Sequence, residues 1–369
     1  MKFPLSIPSP TEAQLEQKYV SEALSDNQAA TGKYITLFEE SVADLVKSKN
    51  AMAVVNGTSA IHLALLSLGI GKGDLVFAST FTFIGSVSPI VYVGAEPVFI
   101  DSDKSTWNID PNLLEDELKR RTSLGEIIPK ALLITHLYGQ PADMDSIVSI
   151  CDKYGVIIIE DAAESLGAAY GDKQTGTFGK CGIFSFNANK IITSGGGGIL
   201  VSDDADLVAK ARYFANQAKE PVEHYEHLNI GYNYRISNLQ SACGYAQMQE
   251  LQKRIHTKRT IFDKYRKALE GAPVTFMPEH EKAVGSRWLT TLLFNDEDKE
   301  SIYGYLKVEG IESRSLWKPM HMQPVFKDAK SVTNGTSEEF FEYGLCLPSC
   351  IDLSDEDIKE ITEKIIRIL

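Results

Sequence analysis

Met144-Asp145-Ser146-Ile147-Val148-Ser149-Ile150-Cys151-Asp152-Lys153-Tyr154-Gly155-Val156-Ile157-Ile158-Ile159-Glu160-Asp161 is the stretch on which the fold turns. Met144–Tyr154 reads as a helix, and the apolar run after Gly155 reads as a buried strand that ends on two acids. The same alternation extends in both directions. Ala51–Val55 reads as a strand, followed by Asn56-Gly57-Thr58-Ser59 and a helix through Leu68. Leu75–Ser79 and Pro97–Asp101 read as strands, then a helix near Leu113–Arg121 and a strand at Ala131–His136. Gly182–Asn187 and Gly198–Ser202 are two later strands, with a glycine run between them. Strands separated by helices imply βαβ units and a mainly parallel sheet, an α/β fold.

Residues 1–50 are polar and helical in pattern, with a turn-like patch at Ser25–Lys33. A long helix is expected from about Ser237 to Leu269. The remainder reads as a smaller α+β unit, with strands at Trp288–Phe294 and Ile311–Leu316 and helices at Asp296–Val308 and Ser354–Ile368. The expected division is a large domain over residues 1–250 and a small C-terminal domain over 251–369. No internal repeat or low-complexity tract interrupts either part.

The 369 residues allow two or three domains, and 43% hydrophobic with 24% charged residues is an ordinary globular balance. No apolar run approaches the ~20 residues that a membrane helix needs. Met1–Ser9 has no basic start followed by an apolar stretch, so no signal peptide is expected. The net charge of −13, from 37 basic and 50 acidic residues, argues against nucleic acid or an anionic membrane as partner. An anionic small molecule would need local donors instead. The five cysteines are scattered without a CxxC pair, which reads as reduced thiols in a cytoplasmic protein without a metal site.

Several residues carry candidate chemistry. Asp161 closes a parallel strand, the place where such sheets bind ligands; its ordinary reading is a helix cap. Lys190 lies between Phe184-Ser185-Phe186-Asn187-Ala188-Asn189 and the glycines Gly195–Gly198. A desolvated amine there could form a Schiff base, whereas the ordinary reading is a solvated loop lysine. Asn56-Gly57-Thr58-Ser59, between strand and helix, suits a phosphate or simply forms a turn and cap. Gly69, Gly71 and Gly73 follow a helix and do not make a dinucleotide fingerprint. His224 and His227, beside Glu223 and Glu226, lack the helical zinc spacing and suit a loop or interface. A phosphate cradle, the aromatics Phe81 and Phe83, a strand-end Asp and a Lys together match the needs of pyridoxal phosphate.

The chain resembles the fold-type-I pyridoxal-phosphate enzymes, and within them the nucleotide-sugar aminotransferase family, over essentially its whole length. The resemblance rests on Asn56-Gly57-Thr58-Ser59-Ala60, Thr82-Phe83, His136-Leu137-Tyr138-Gly139, Glu160-Asp161-Ala162-Ala163-Glu164, Phe184-Ser185-Phe186, Asn189-Lys190 and Gly231-Tyr232-Asn233-Tyr234-Arg235. It implies a seven-stranded type of mixed, mainly parallel sheet flanked by helices. It implies pyridoxal 5′-phosphate joined to Lys190, which would also move the proton between carbon atoms. Asp161 would pair with the ring nitrogen and Phe83 would stack on the ring. The amides near Gly57, Thr58 and Ser59, with the Ser185 hydroxyl, would bind the phosphate. Asn189 would sit beside the cofactor and Glu164 near the ring oxygen, where relatives carry His or Gln. Asn233 would reach the phosphate of a neighbouring subunit, giving a homodimer with shared active sites.

Within that family the chain looks most like the aminotransferases of bacillosamine synthesis, which aminate UDP-2-acetamido-2,6-dideoxy-4-keto-glucose at C4 with L-glutamate as donor. That implies a UDP-linked 4-keto sugar as substrate. Arg314 and Arg287 are the candidates for its pyrophosphate, with Trp288, Trp317 and His321 nearby in sequence. Other readings are a different UDP- or dTDP-linked keto sugar, a dehydrase on the same scaffold, or a non-catalytic cofactor-binding regulator. Lys190 argues against the dehydrase.

Overall fold

Eight strands form one sheet in the computed structural model, which describes residues 1–295 and 299–369. Their order is Asn50–Val54, Gly198–Ser202, Cys181–Ser185, Ile157–Asp161, Ala131–Thr135, Leu75–Ser79, Glu96–Ile100 and Lys330–Val332. Gly198–Ser202 runs antiparallel to both neighbours, and every other pair is parallel. The central strand Ala131–Thr135 is buried at every position, as a strand covered by helices on both faces must be.

Local chemistry sets the helix ends. The Asp143 side chain accepts the Ser146 amide at the start of Met144–Tyr154. Gly155 then takes the left-handed conformation (φ 68°), and the Val156 amide returns to the Cys151 carbonyl. The chain is thereby turned into the strand that ends on Asp161. Similarly, Asn56 caps the helix Gly57–Ser67 by accepting the Ser59 amide at 2.8 Å. That helix is almost wholly buried, so its face towards the sheet edge is fixed by packing on all sides.

A second, four-stranded antiparallel sheet comprises Val274–Phe276, Thr290–Phe294, Gly344–Leu347 and Arg314–Ser315. Leu251–Ala268 and Asp355–Ile368 cover it, burying Ile261, Tyr265, Leu292, Phe294, Ile361 and Ile365 in one cluster.

The structure differs from the sequence expectation in four places. The sheet gains an eighth strand: Lys330–Val332, short and polar, pairs with Glu96–Ile100 at the edge. Its position depends on buried Asp101, which accepts the amides of Ser102, Asn334, Gly335 and Ser337. The expected helix over Ser237–Leu269 is two helices, Asn238–Met248 and Leu251–Ala268, because Glu250 leaves helical geometry (φ −113°, ψ 5°). The expected strand Ile311–Leu316 shrinks to Arg314–Ser315, since Ile311 bridges to Phe3 instead. The expected helix Asp296–Val308 is Lys299–Val308, and its first three residues lie outside the described residues.

Asp101→Ala leaves four backbone amides without their acceptor and should lower stability by about 3 kcal/mol. Urea denaturation measures that loss, and faster hydrogen exchange at Gly335–Ser337 should accompany it.

Candidate active site

The carboxyl ends of the parallel strands converge on a cavity of about 410 Å³. Asn56, Gly57 and Thr58 reach it from the strand Asn50–Val54, and Thr82 and Phe83 from Leu75–Ser79. Thr135, Asp161 and Ser185 end three further strands and line it too. Asn187, Asn189 and Lys190 follow Ser185, while Trp288, Arg314 and Trp317 close the other side.

At one end, the first-turn amides of Gly57 and Thr58 have no intrahelical partner, as at any helix start. A Cβ on Gly57 would lie 3.3 Å from that of Ser185, so glycine keeps amides and hydroxyl together. Gly198, the last of the glycine run, is required: a Cβ there would fall 2.4 Å from the Asn56 carbonyl carbon, so its strand can pass the turn only without one. Ser59 is placed differently from the expectation. It is buried, outside the cavity lining, and its amide is used by the Asn56 cap.

Deeper in, one oxygen of Asp161 accepts the Ala163 amide at 3.0 Å, and the other has no protein donor among the described residues. Phe83 is half-exposed, with its ring 5.2 Å from that of Trp317. The Lys190 amine lies 4.2 Å above the Trp288 ring and 3.5 Å from Glu164 Oε1. Glu164 is buried, and its other oxygen accepts the Tyr138 amide at 2.7 Å. Burial holds the Glu164 carboxyl above its ordinary pKa, against the opposing pull of Lys190 and that amide.

Tyr138 adopts positive φ (51°), followed by Gly139 at 92°. A Cβ on Gly139 would stand 2.7 Å from the Trp288 amide, so this corner requires glycine to let the Ser286–Trp288 segment approach. The Tyr138 hydroxyl accepts the Trp317 amide at 2.9 Å, and its ring lies parallel to Trp317 (8°) and Trp288 (19°). Behind it, His136 Nδ1 accepts the Ala142 amide, so Nε2 carries the proton donated to Glu160. Glu160 also accepts three amides, from Gly176, Phe178 and Gly179. It thus serves the scaffold, while its neighbour Asp161 faces the cavity.

The remaining expected residues are spread out. Arg314 lines the cavity and is mostly exposed, paired with Glu312 at 3.0 Å. Arg287 turns away from the cavity. It is buried against the Phe262 ring at 3.8 Å and donates to the Met277 carbonyl, and burial pushes its pKa down to about 10. His321 lies outside the lining, held between Thr80 Oγ1 (2.7 Å) and Glu338 (3.1 Å). Asn233 is exposed, bridged through its backbone to Asn216, and absent from the cavity lining. His224 and His227 sit in an exposed loop, beside Glu226 and the Gln217 carbonyl. Sequence reasoning assigned no role to Tyr138, whose importance comes from a backbone conformation that no spacing rule reveals.

The chain matches the DegT/DnrJ/EryC1/StrS aminotransferase family model over residues 10–366. This protein belongs to that family. It is 48% identical over 360 residues to EpsN of Bacillus subtilis (strain 168), itself assigned as a pyridoxal phosphate-dependent aminotransferase. That match covers 96% of this chain and 92% of EpsN. It is 36% identical to the GDP-perosamine synthase of Vibrio cholerae, covering 94% of each. The crystal structure of a family member from Brucella abortus superposes with a TM-score of 0.91 at 27% identity, covering 96% of this chain and 95% of that one. Family members are sugar aminotransferases that depend on pyridoxal 5′-phosphate, and so is this enzyme.

The residues present fit that cofactor. A phosphate suits the amides left open beside Ser185, a ring nitrogen the undonated oxygen of Asp161, and an aldehyde the Lys190 amine.

A carboxyl held above its ordinary pKa favours folding below the ordinary carboxylate range, and that contribution is lost as pH rises through the raised value. Between about pH 5 and pH 7 the melting temperature of cofactor-free Glu164→Gln should therefore fall less than that of the wild type. Calorimetry across that range checks the sign.

Proposed function

We propose that the enzyme transfers the amino group of L-glutamate to C4 of UDP-2-acetamido-2,6-dideoxy-4-keto-glucose, working as a homodimer. The observation that carries the transamination chemistry is the Lys190 amine held between the Glu164 carboxylate and the Trp288 ring, in the cavity that Asp161 and Ser185 share. The nucleotide sugar rests on the resemblance of the sequence motifs.

Pyridoxal 5′-phosphate supplies an aldehyde that holds the amine and a ring that takes up the electron pair. Gly57, Thr58 and Ser185 would bind its phosphate, and Asn233 of a second copy of the chain would reach the same group. Asp161 would hold the proton on the ring nitrogen, Phe83 would stack on the ring, and Glu164 would stand near the ring oxygen. Lys190 Nζ removes the α-proton of glutamate and, in the second half of the cycle, delivers a proton to sugar C4. Arg314, which lines the cavity and is exposed beside its partner Glu312, would bind the pyrophosphate.

A GDP-linked sugar is the second reading, favoured by the 36% identity to a GDP-perosamine synthase.

The purified enzyme should be yellow, and L-glutamate should bleach the visible band; Lys190→Ala should lack the band. A protein that takes up no cofactor, or ignores glutamate, overturns the reading. A panel of UDP-, GDP- and dTDP-linked 4-keto sugars, with amine products read by mass spectrometry, then decides the nucleotide. Arg314→Ala should raise KM for the preferred sugar roughly tenfold with little change in kcat, the signature of a group that binds ground and transition states alike.

A further inference from the structure

The helix Leu251–Ala268 turns Lys258 inward, where it is 4% exposed. Its amine donates to the carbonyls of Trp288 (3.0 Å) and Ser349 (2.5 Å) and lies 3.5 Å from Ser6 Oγ. Among the described residues no carboxylate makes an ion pair with it. A buried ammonium held only by neutral oxygens costs stability, so its contribution has to be sought in the geometry it fixes.

Two of its three neighbours converge on one atom. Trp288 Nε1 donates to the Asn189 carbonyl at 2.7 Å, and the Ser6 hydroxyl donates to the same carbonyl at 3.0 Å. Asn189 immediately precedes Lys190, whose amine sits over the Trp288 ring. Four distant parts of the chain therefore meet behind the catalytic lysine: the N-terminal segment, the helix of Lys258, the Trp288 corner and the turn at Ser349.

We propose that Lys258 is a positioning residue for Lys190, fixing through Trp288 and Ser6 the two donors that set the Asn189–Lys190 peptide. The proposal rests on Lys190 being the lysine that holds the cofactor.

A consequence follows from proton count. Burial pushes Lys258 down to about 8, with Arg254 on its own helix adding to that push. Cys350 and Asp352, in the turn beyond Ser349, oppose it, and the N-terminal segment and the Trp288 corner face it with a hydroxyl and a carbonyl. On losing its proton the amine keeps two N–H groups and gains a lone pair. The single Ser6 proton can then turn from Asn189 to Lys258, leaving the Asn189 carbonyl with the indole alone.

The test compares holoenzymes of wild type, Lys258→Met, Lys258→Arg and Ser6→Ala. Visible circular dichroism of the bound cofactor is followed across the alkaline range, and cofactor release after dilution is timed. The wild-type signal should change with a midpoint near 8. Lys258→Met should show no such midpoint and release cofactor roughly tenfold faster. Lys258→Arg should restore slow release with no midpoint near 8, because arginine does not titrate there. Ser6→Ala, which leaves the buried amine in place, should also flatten the profile and serves if Lys258→Met does not fold. Wild-type release and a wild-type profile in Lys258→Met, or an unchanged midpoint in Ser6→Ala, overturn the proposal. Borohydride trapping with peptide mapping separates the two levels. Cofactor on a lysine other than Lys190 overturns the site reading and this inference with it. Cofactor on Lys190 with unaltered variants overturns the inference alone.

Discussion

The floor of this cavity depends on strands that run in one direction. Parallel strands present all their carboxyl ends at one edge, and after Asn50–Val54 the helix Gly57–Ser67 opens its first amides there too. Asn56, Thr82, Thr135, Asp161 and Ser185 are therefore delivered side by side, although they span more than a third of the chain. The one antiparallel strand, Gly198–Ser202, begins at that same edge. It can do so because Gly198 has no Cβ to strike the Asn56 turn. A change of register in any of these pairs would turn its side chains to the other face and empty the site.

The cavity also carries conformational cost. Tyr138 in the left-handed region costs about 1–2 kcal/mol. The hydrogen bond that its amide gives to the buried Glu164 carboxylate returns about 1.5–3 kcal/mol. Its hydroxyl and ring hold Trp317 and Trp288, so one residue sets both the carboxylate beside Lys190 and the aromatic wall opposite. A second layer lies behind, where His136 and Glu160 satisfy one another and four backbone amides. Among the described residues, Asp161 in the cavity keeps one oxygen without a donor, whereas the carboxylate of Glu160 behind it has both oxygens occupied.

Much of this was legible from local pattern. The strands Leu75–Ser79, Ala131–Thr135 and Gly198–Ser202 and the helix Met144–Tyr154 follow from apolar runs and their punctuation. Asp161 and Lys190 could be singled out because their places, a strand end and a glycine-flanked loop, were readable. Lys330–Val332 was not, because a short polar edge strand owes its place to Asp101 and has no hydrophobic signature. The two arginines separate for a similar reason. Arg287 and Trp288 are adjacent in sequence, but positive φ at Arg287 (51°) sends the guanidinium to Phe262 while the indole faces Lys190.

The sequence by itself determined the α/β alternation, the residues able to serve a phosphate, a ring nitrogen and an aldehyde, and the family to which the chain belongs. These are properties of single residues and of short periodic segments, which the chain carries wherever it goes. Only the tertiary structure decided that Arg314 and not Arg287 borders the cavity, that Ser59 spends its amide on a cap, and that Lys258 stands behind Lys190. Those outcomes depend on which distant segments share a buried volume and on where each unpaired donor finds an acceptor. Neither is written in any one stretch of the chain, because both are settled only when all the segments compete for the same few oxygens.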